Sequence, residues 1–289
     1  MKTEQIIVLA LFLGFIALEV ARTQFFRKPG QTASDGWVET ISALILMLFT
    51  QPLVIAGGYT LGALALAEYA GVLSDAPFLL VFALFLLFDD MTQYWWHRLS
   101  HTIPFLYKLH RPHHNASYLS IRVAYRNNVF YYLMMPGLWF SGVLLYLGGG
   151  WVYAVYLPIK MLVIFGAHSD VRWDTRLYQS KLGSRMMWWV ERIISTPATH
   201  SAHHGKHASD GVTHYKGNYG NLLFFWDVLF GTAKITRRYP QSFGVEDLPP
   251  TSMGEQLIWP LIRMPEMAEA DAQDQTSELI PEPVAPAVR

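Results

Sequence analysis

The chain of 289 residues contains no cysteine. Disulfides, thiolate-held zinc, iron–sulfur clusters and thiolate-ligated haem are thereby excluded, and any metal must be taken by nitrogen or oxygen. Charge is scarce too: Asp, Glu, Lys and Arg make up 15% of the residues, against roughly 25% in an average soluble domain. The charges also balance, with 22 basic and 22 acidic side chains. No basic surplus exists to neutralise phosphates, which removes nucleic-acid binding from the candidate functions. The sequence lacks the HExxH pattern of zinc hydrolases and the Glu-x-x-His pairs of soluble di-iron bundles.

Apolar residues are abundant instead, at 52%, and the mean hydropathy is +0.21. Runs from Ile6 to Ala21, Trp37 to about Tyr59, Ala76 to Phe88, Val129 to Leu147 and Trp151 to Ala167 approach the roughly 20 residues that cross a bilayer. The expected fold is therefore an all-α integral membrane protein with about five transmembrane helices. The first run reads as a retained anchor rather than a signal peptide, because its start carries Lys2 beside Glu4 and no small-x-small site precedes Arg22. Apolar character continues from Leu61 to Leu73 after Pro52 and the Gly57-Gly58 pair, so a re-entrant or interfacial segment is expected there.

Lys and Arg accumulate on the cytoplasmic side of membrane proteins. Placing Arg22 to Gly36, His97 to Asn128 and everything after His168 on one side gathers 20 of the 22 basic residues there. Lys2 stays on the other side and Lys160 lies inside the fifth span. A cytoplasmic C-terminus and a cytoplasmic helical cap follow, with Tyr178, Trp188, Trp189, Trp226 and Trp259 as interfacial aromatics. Residues 1–264 read as a single membrane-embedded domain. From Glu266 the composition turns to Ala, Pro and six acids against the single Arg289, so residues 265–289 are expected to be a disordered acidic tail.

All 11 histidines fall between positions 97 and 214. HRLSH places His97 and His101 four apart; HRPHH places His110, His113 and His114 at i, i+3 and i+4; HSAHH repeats that spacing with His200, His203 and His204. On a helix such residues share a face, so each motif is expected to present its imidazoles in one direction. His168, at the end of the fifth span, would join them at the same membrane face. Nine imidazoles suit two metals, each with several nitrogens and an open position. Imidazole accepts iron, zinc, copper or nickel, and ligand type does not choose among them. His207 and His214 fall outside the repeated spacing and read as surface or supporting residues.

Metal-bound histidines usually give their second N–H to a carboxylate or carbonyl. Asp90, Asp170 and Asp227 are the candidate carboxylates, although Asp90 sits two turns before His97, about 10 Å along the axis at ~1.5 Å per residue, and would have to serve another box. A charge near the middle of a span usually faces a cavity or partner, so Lys160 is expected either to meet a polar head group or to snorkel.

These motifs resemble the HxxxH, HxxHH and HxxHH boxes of the sterol desaturase and fatty acid hydroxylase superfamily of integral-membrane di-iron oxygenases. Asp90 followed by Tyr94, Trp95, His97 and Arg98 is similar to that family's lead-in, TPATHSAHHG to its last box, and NYGNLLFFWDVLFGT, from Asn218 to Thr232, to the block that follows. The resemblance covers roughly residues 85–235. It implies two iron ions, dioxygen as oxidant, a lipid substrate of sterol or fatty acyl type taken from the bilayer, and His97, His101, His110, His113, His114, His168, His200, His203 and His204 as ligands. No cytochrome b5-like His-Pro-Gly-Gly segment occurs, which implies a separate electron-donor protein. The leading expectation is a lipid hydroxylase, with a lipid or sterol desaturase as the alternative. A metal transporter fits less well because the boxes lie past the span ends rather than at the midplane, and a zinc hydrolase because HExxH is missing.

Overall fold

The computed structural model describes residues 3–23 and 25–264. Among these residues all regular structure is helical, and extended pairing is confined to an isolated bridge between Gly205 and Phe243. Five helices are long and apolar enough to cross a membrane: α1 (Thr3–Arg22), α2 (Ala33–Ala65), α3 (Phe78–Ser100), α5 (Val129–Tyr146) and α6 (Gly150–His168). Between and after them lie α4 (Pro104–His114), α7 (Trp173–Tyr178), α8 (Lys181–Ile193), α9 (Pro197–His203), α10 (Phe225–Leu229) and α11 (Met253–Ile258). The acidic tail expected over 265–289 lies outside the described residues.

Helix α2 corrects one expectation. Its start is fixed by a capping box in which Thr32 accepts from the Asp35 amide and Asp35 accepts from the Thr32 amide at 2.7 Å. It then runs through Pro52 and Gly57-Gly58 without breaking, and the apolar stretch beyond ends at Ala65 in a short turn at Ala67–Tyr69 instead of re-entering. A π-helical turn over Leu46–Thr50 precedes Pro52 and accommodates its missing N–H. The glycines serve packing: a Cβ on Gly58 would lie 2.2 Å from the Trp139 carbonyl oxygen, and one on Gly142 2.3 Å from that of Ile55. Helices α2 and α5 cross at these small residues, as transmembrane helices commonly do.

At 33 residues and ~1.5 Å per residue, α2 is about 50 Å long, more than the roughly 30 Å hydrocarbon core. Its first turns therefore belong to the cap, where Asp35 bonds Arg126 at 2.8 Å and Glu39 bonds the Tyr118 hydroxyl. Glu19, fully buried near the end of α1, accepts from Ser120 Oγ at 2.6 Å and from the amides of Ile121 and Asp170 at 2.9 Å. These bonds tie the box-bearing ends of the spans to the segments between them. On the outside of α8, Leu182, Met186, Trp189 and Ile193 form an exposed stripe at helical spacing, the interfacial face expected of the cap.

The histidines occupy helix ends. His97 lies in the last turn of α3, with His101 just beyond it; His113 and His114 close α4, His168 closes α6, and His200 and His203 close α9 ahead of His204. The C-terminal turn carries the negative end of the helix dipole. Four such ends meet at one place, which favours a cation there.

Candidate metal centre

The nine imidazoles form two groups. His97, His101, His110, His114 and His203 make one; His113, His168, His200 and His204 make the other, and within each group the donor nitrogens lie within 4.8 Å of one another. Donors on opposite sides of a first-row metal sit about 4.2 Å apart at ~2.1 Å per bond, so both groups are of metal-binding size. His101 is partly exposed and the other eight are buried.

Each HxxHH motif is divided between the groups. His110 and His114 enter the first and His113 the second; His200 and His204 enter the second and His203 the first. The expectation that each box points one way therefore fails, because consecutive residues such as His113 and His114 are about 100° apart around a helix. The i, i+4 pair stays together and the middle histidine crosses over. This exchange holds the two groups side by side.

Backbone carbonyls fix the tautomers. His97 Nδ1 faces the Tyr219 oxygen at 2.7 Å, His203 Nδ1 that of Gly217 at 2.8 Å, His113 Nδ1 that of Val123 at 3.0 Å and His168 Nδ1 that of Ile164 at 2.8 Å. A carbonyl only accepts, so each Nδ1 carries the proton and each Nε2 presents a lone pair. Yet His97 Nε2 and His203 Nε2 are 3.0 Å apart, and His113 Nε2 and His168 Nε2 are 3.3 Å apart. Lone pairs facing each other at that separation repel unless a cation lies between them. Burial pushes His101, His110, His113, His114, His200, His203 and His204 well below the ordinary imidazole range, so extra protons do not supply it. His101 Nε2 and His200 Nδ1 are buried without a hydrogen-bond partner among the described residues. All-nitrogen, neutral and convergent, the donor set fits a pair of first-row metal ions.

The three acids stand further from the imidazoles than expected. Asp227 accepts from the amides of Tyr219 and Gly220 at 2.8 and 2.6 Å and from Thr232 Oγ1 at 2.6 Å. It acts on His97 through the Tyr219 backbone, and burial raises its carboxyl to about 6. Asp90 accepts from the Leu223 amide at 3.1 Å and Trp226 Nε1 at 2.8 Å, while Asp170 pairs with Lys28 at 2.5 Å. Among the described residues none of the three bonds an imidazole. The side chain that does is Asn127, whose Oδ1 meets His110 Nδ1 at 2.9 Å while its Nδ2 donates to the Tyr132 hydroxyl at 3.0 Å.

The NYG block supplies the remaining orientation. Asn218, at φ 57°, donates to the carbonyls of Thr199 and Lys234 at 2.9 and 3.0 Å, bringing the Gly217 and Tyr219 carbonyls against His203 and His97. Of the histidines set aside, His207 bonds Glu246 at 2.8 Å and His214 meets the Thr232 oxygen at 3.2 Å.

Helical spans that end in two cages of convergent imidazoles define an integral-membrane protein with a histidine-box centre. Residues 82–232, about half the sequence, match the fatty acid hydroxylase family, and the chain belongs to that family. Curated relatives include the alkylglycerol monooxygenases of Homo sapiens and Danio rerio, each 29% identical over 143 residues, and that of Xenopus tropicalis, 26% identical over 145. Each alignment covers 50% of this chain and 28% of the relative's length. No solved structure matches the chain.

Proposed function

We propose that this protein is a membrane-bound di-iron oxygenase that hydroxylates a C–H bond of a lipid, using dioxygen and electrons from a separate donor protein. The observation that carries the reading is the facing of Nε2 lone pairs within each imidazole group, His97 with His203 in the first and His113 with His168 in the second. His97, His101, His110, His114 and His203 would hold one iron, and His113, His168, His200 and His204 the other. When bound, the irons supply the redox chemistry that activates dioxygen, one oxygen atom entering the substrate and the other leaving as water at the expense of two electrons and two protons. Family membership supports the lipid substrate, and the monooxygenase named among the relatives supports hydroxylation over desaturation.

The chain's own residues do the rest. The carbonyls of Tyr219, Gly217, Val123 and Ile164 hold four imidazoles in the tautomer that presents Nε2, as outer partners of metal ligands typically do. Aromatic walls shield the cages, with Tyr131 stacked on His110 at 4.8 Å and Tyr219 within 5.6 Å of both His97 and His203. Residues 1–264 act as one oxygenase domain, with Asp90, Asp170 and Asp227 as supports of the loops around the boxes rather than as reacting groups.

The test is metal analysis of purified active protein together with lipid mass spectrometry of cells with and without it. Two irons per chain and a product heavier by one oxygen are expected. A product lighter by two hydrogens would assign the desaturase alternative, and an active preparation without iron would overturn the di-iron reading.

A further inference from the structure

Beside the first histidine group a cavity of about 300 Å³ opens to the surface of the cap, lined by His101, Tyr107, His114, Lys206, Tyr215, Lys216 and Glu246, with Gly244 and Val245 beneath. That volume lies at the lower end of ligand-binding pockets. Two of its walls are histidines of the candidate centre, so whatever fills it lies against that centre. Two further features make it a polar receptor. The ammonium groups of Lys206 and Lys216 make no hydrogen bond or ion pair among the described residues, and neither do the hydroxyls of Tyr107 and Tyr215. The acid in the lining, Glu246, is bonded by His207 at 2.8 Å. The lining therefore carries two lysine ammonium groups against one carboxylate, with hydroxyl donors beside them.

We propose that this cavity binds an anionic group, phosphate or carboxylate, at the polar end of the lipid substrate, between Lys206 and Lys216. The proposal rests on the oxygenase reading above and deepens it, since it names the substrate class as lipids with an anionic head. Two lysines facing one anion give charge-assisted bonds, and the tyrosine hydroxyls complete its coordination without adding charge. A head group held here fixes one end of the molecule beside the first histidine group.

Binding of dodecyl phosphate, dodecanol and inorganic phosphate to the full-length iron-loaded protein in nanodiscs of phosphatidylcholine, followed by calorimetry, tests it without recourse to turnover. Dodecyl phosphate is expected to bind at least tenfold tighter than either of the others, more weakly as salt rises. Lys206→Gln and Lys216→Gln should each weaken it by about tenfold while leaving dodecanol binding and iron content unchanged. Inorganic phosphate binding as tightly as dodecyl phosphate would overturn the lipid assignment in favour of a free-anion site. Equal affinity of wild type and both variants for dodecyl phosphate would overturn the cavity assignment altogether. If dodecyl phosphate binds as expected but the protein oxidises no lipid, the oxygenase reading fails and the anion site stands.

Discussion

Lys160 of α6 donates to Asp89 of α3 at 2.7 Å, and both side chains are buried where the spans pack together. Glycine at position 137 of α5 lets that helix close over the pair, since a Cβ there would come within 2.7 Å of Asp89 Oδ1. The lysine thus neither snorkels nor faces a head group, the outcomes expected from its place in the sequence. It is a link between three spans. A buried ion pair contributes little over an apolar pair of the same volume, but removing one partner leaves an uncompensated charge at a cost of roughly 3–5 kcal/mol. Lys160→Met and Asp89→Leu should each lower the unfolding midpoint in detergent markedly, and the double variant should recover most of the loss. Single variants as stable as wild type would show that the pair is not a structural link.

The reciprocal exchange of histidines makes a prediction about metal content. His203→Ala takes a nitrogen from the first group and His168→Ala one from the second. His168 is the sharper case, because it alone comes from outside the three boxes and its Nε2 lies 2.9 Å from that of His200 and 3.3 Å from that of His113. Each variant should insert normally, lose one of the two irons preferentially and lose turnover. Removal of iron from wild type by a chelator should abolish turnover, with recovery on adding ferrous iron. A His168→Ala protein with both irons and full turnover would reduce His168 to a helix-end residue.

Asp227 offers a subtler test. It holds the Tyr219 and Gly220 amides, and Tyr219 in turn orients His97. Asp227→Asn keeps the size but turns one oxygen into a donor that faces one of the two backbone N–H groups, which are accepted by different carboxylate oxygens. Iron affinity is expected to fall by about 10 to 100-fold, with the loss confined to the group that contains His97. Unchanged iron affinity at both sites, with only a lower unfolding midpoint, would make Asp227 a fold residue alone.

What the sequence disclosed was set by periodicity and composition. Long apolar runs located the five spans, and Val129 to Leu147 and Trp151 to Ala167 match α5 and α6 closely, whereas α3 runs on to Ser100, twelve residues past Phe88, because its last turns carry the polar residues of the first box. Histidines repeated at i, i+3 and i+4 located the centre for the same reason. The continuity of α2 was hidden because glycine and proline signal a break locally, whereas here they serve a π-turn and the crossing with α5. The imidazole-orienting groups were hidden more deeply. Four are backbone carbonyls, which have no residue signature, and the fifth is Asn127, an amide in a search for acids. Lys160 and Asp89 are 71 positions apart, so only the packing of α3 against α6 could show them as partners.

The last prediction concerns orientation across the membrane. The boxes and the lysine-lined cavity share one end of the spans, where α3 and α6 terminate and α2 and α5 begin. Outside the spans, 20 of the basic residues lie on that side by sequence and Lys2 alone lies opposite, so by the distribution of positive charge the centre is expected to face the cytoplasm. The absence of native cysteine makes the test direct. Ser209 is exposed, five residues beyond the last box, and Gly149 stands in the turn between α5 and α6. Ser209→Cys should react with a membrane-impermeant maleimide only after the membrane is opened, and a cysteine inserted after Gly149 should react in intact cells. The reverse pattern would put the centre on the outer face and require its electrons to come from an extracytoplasmic donor.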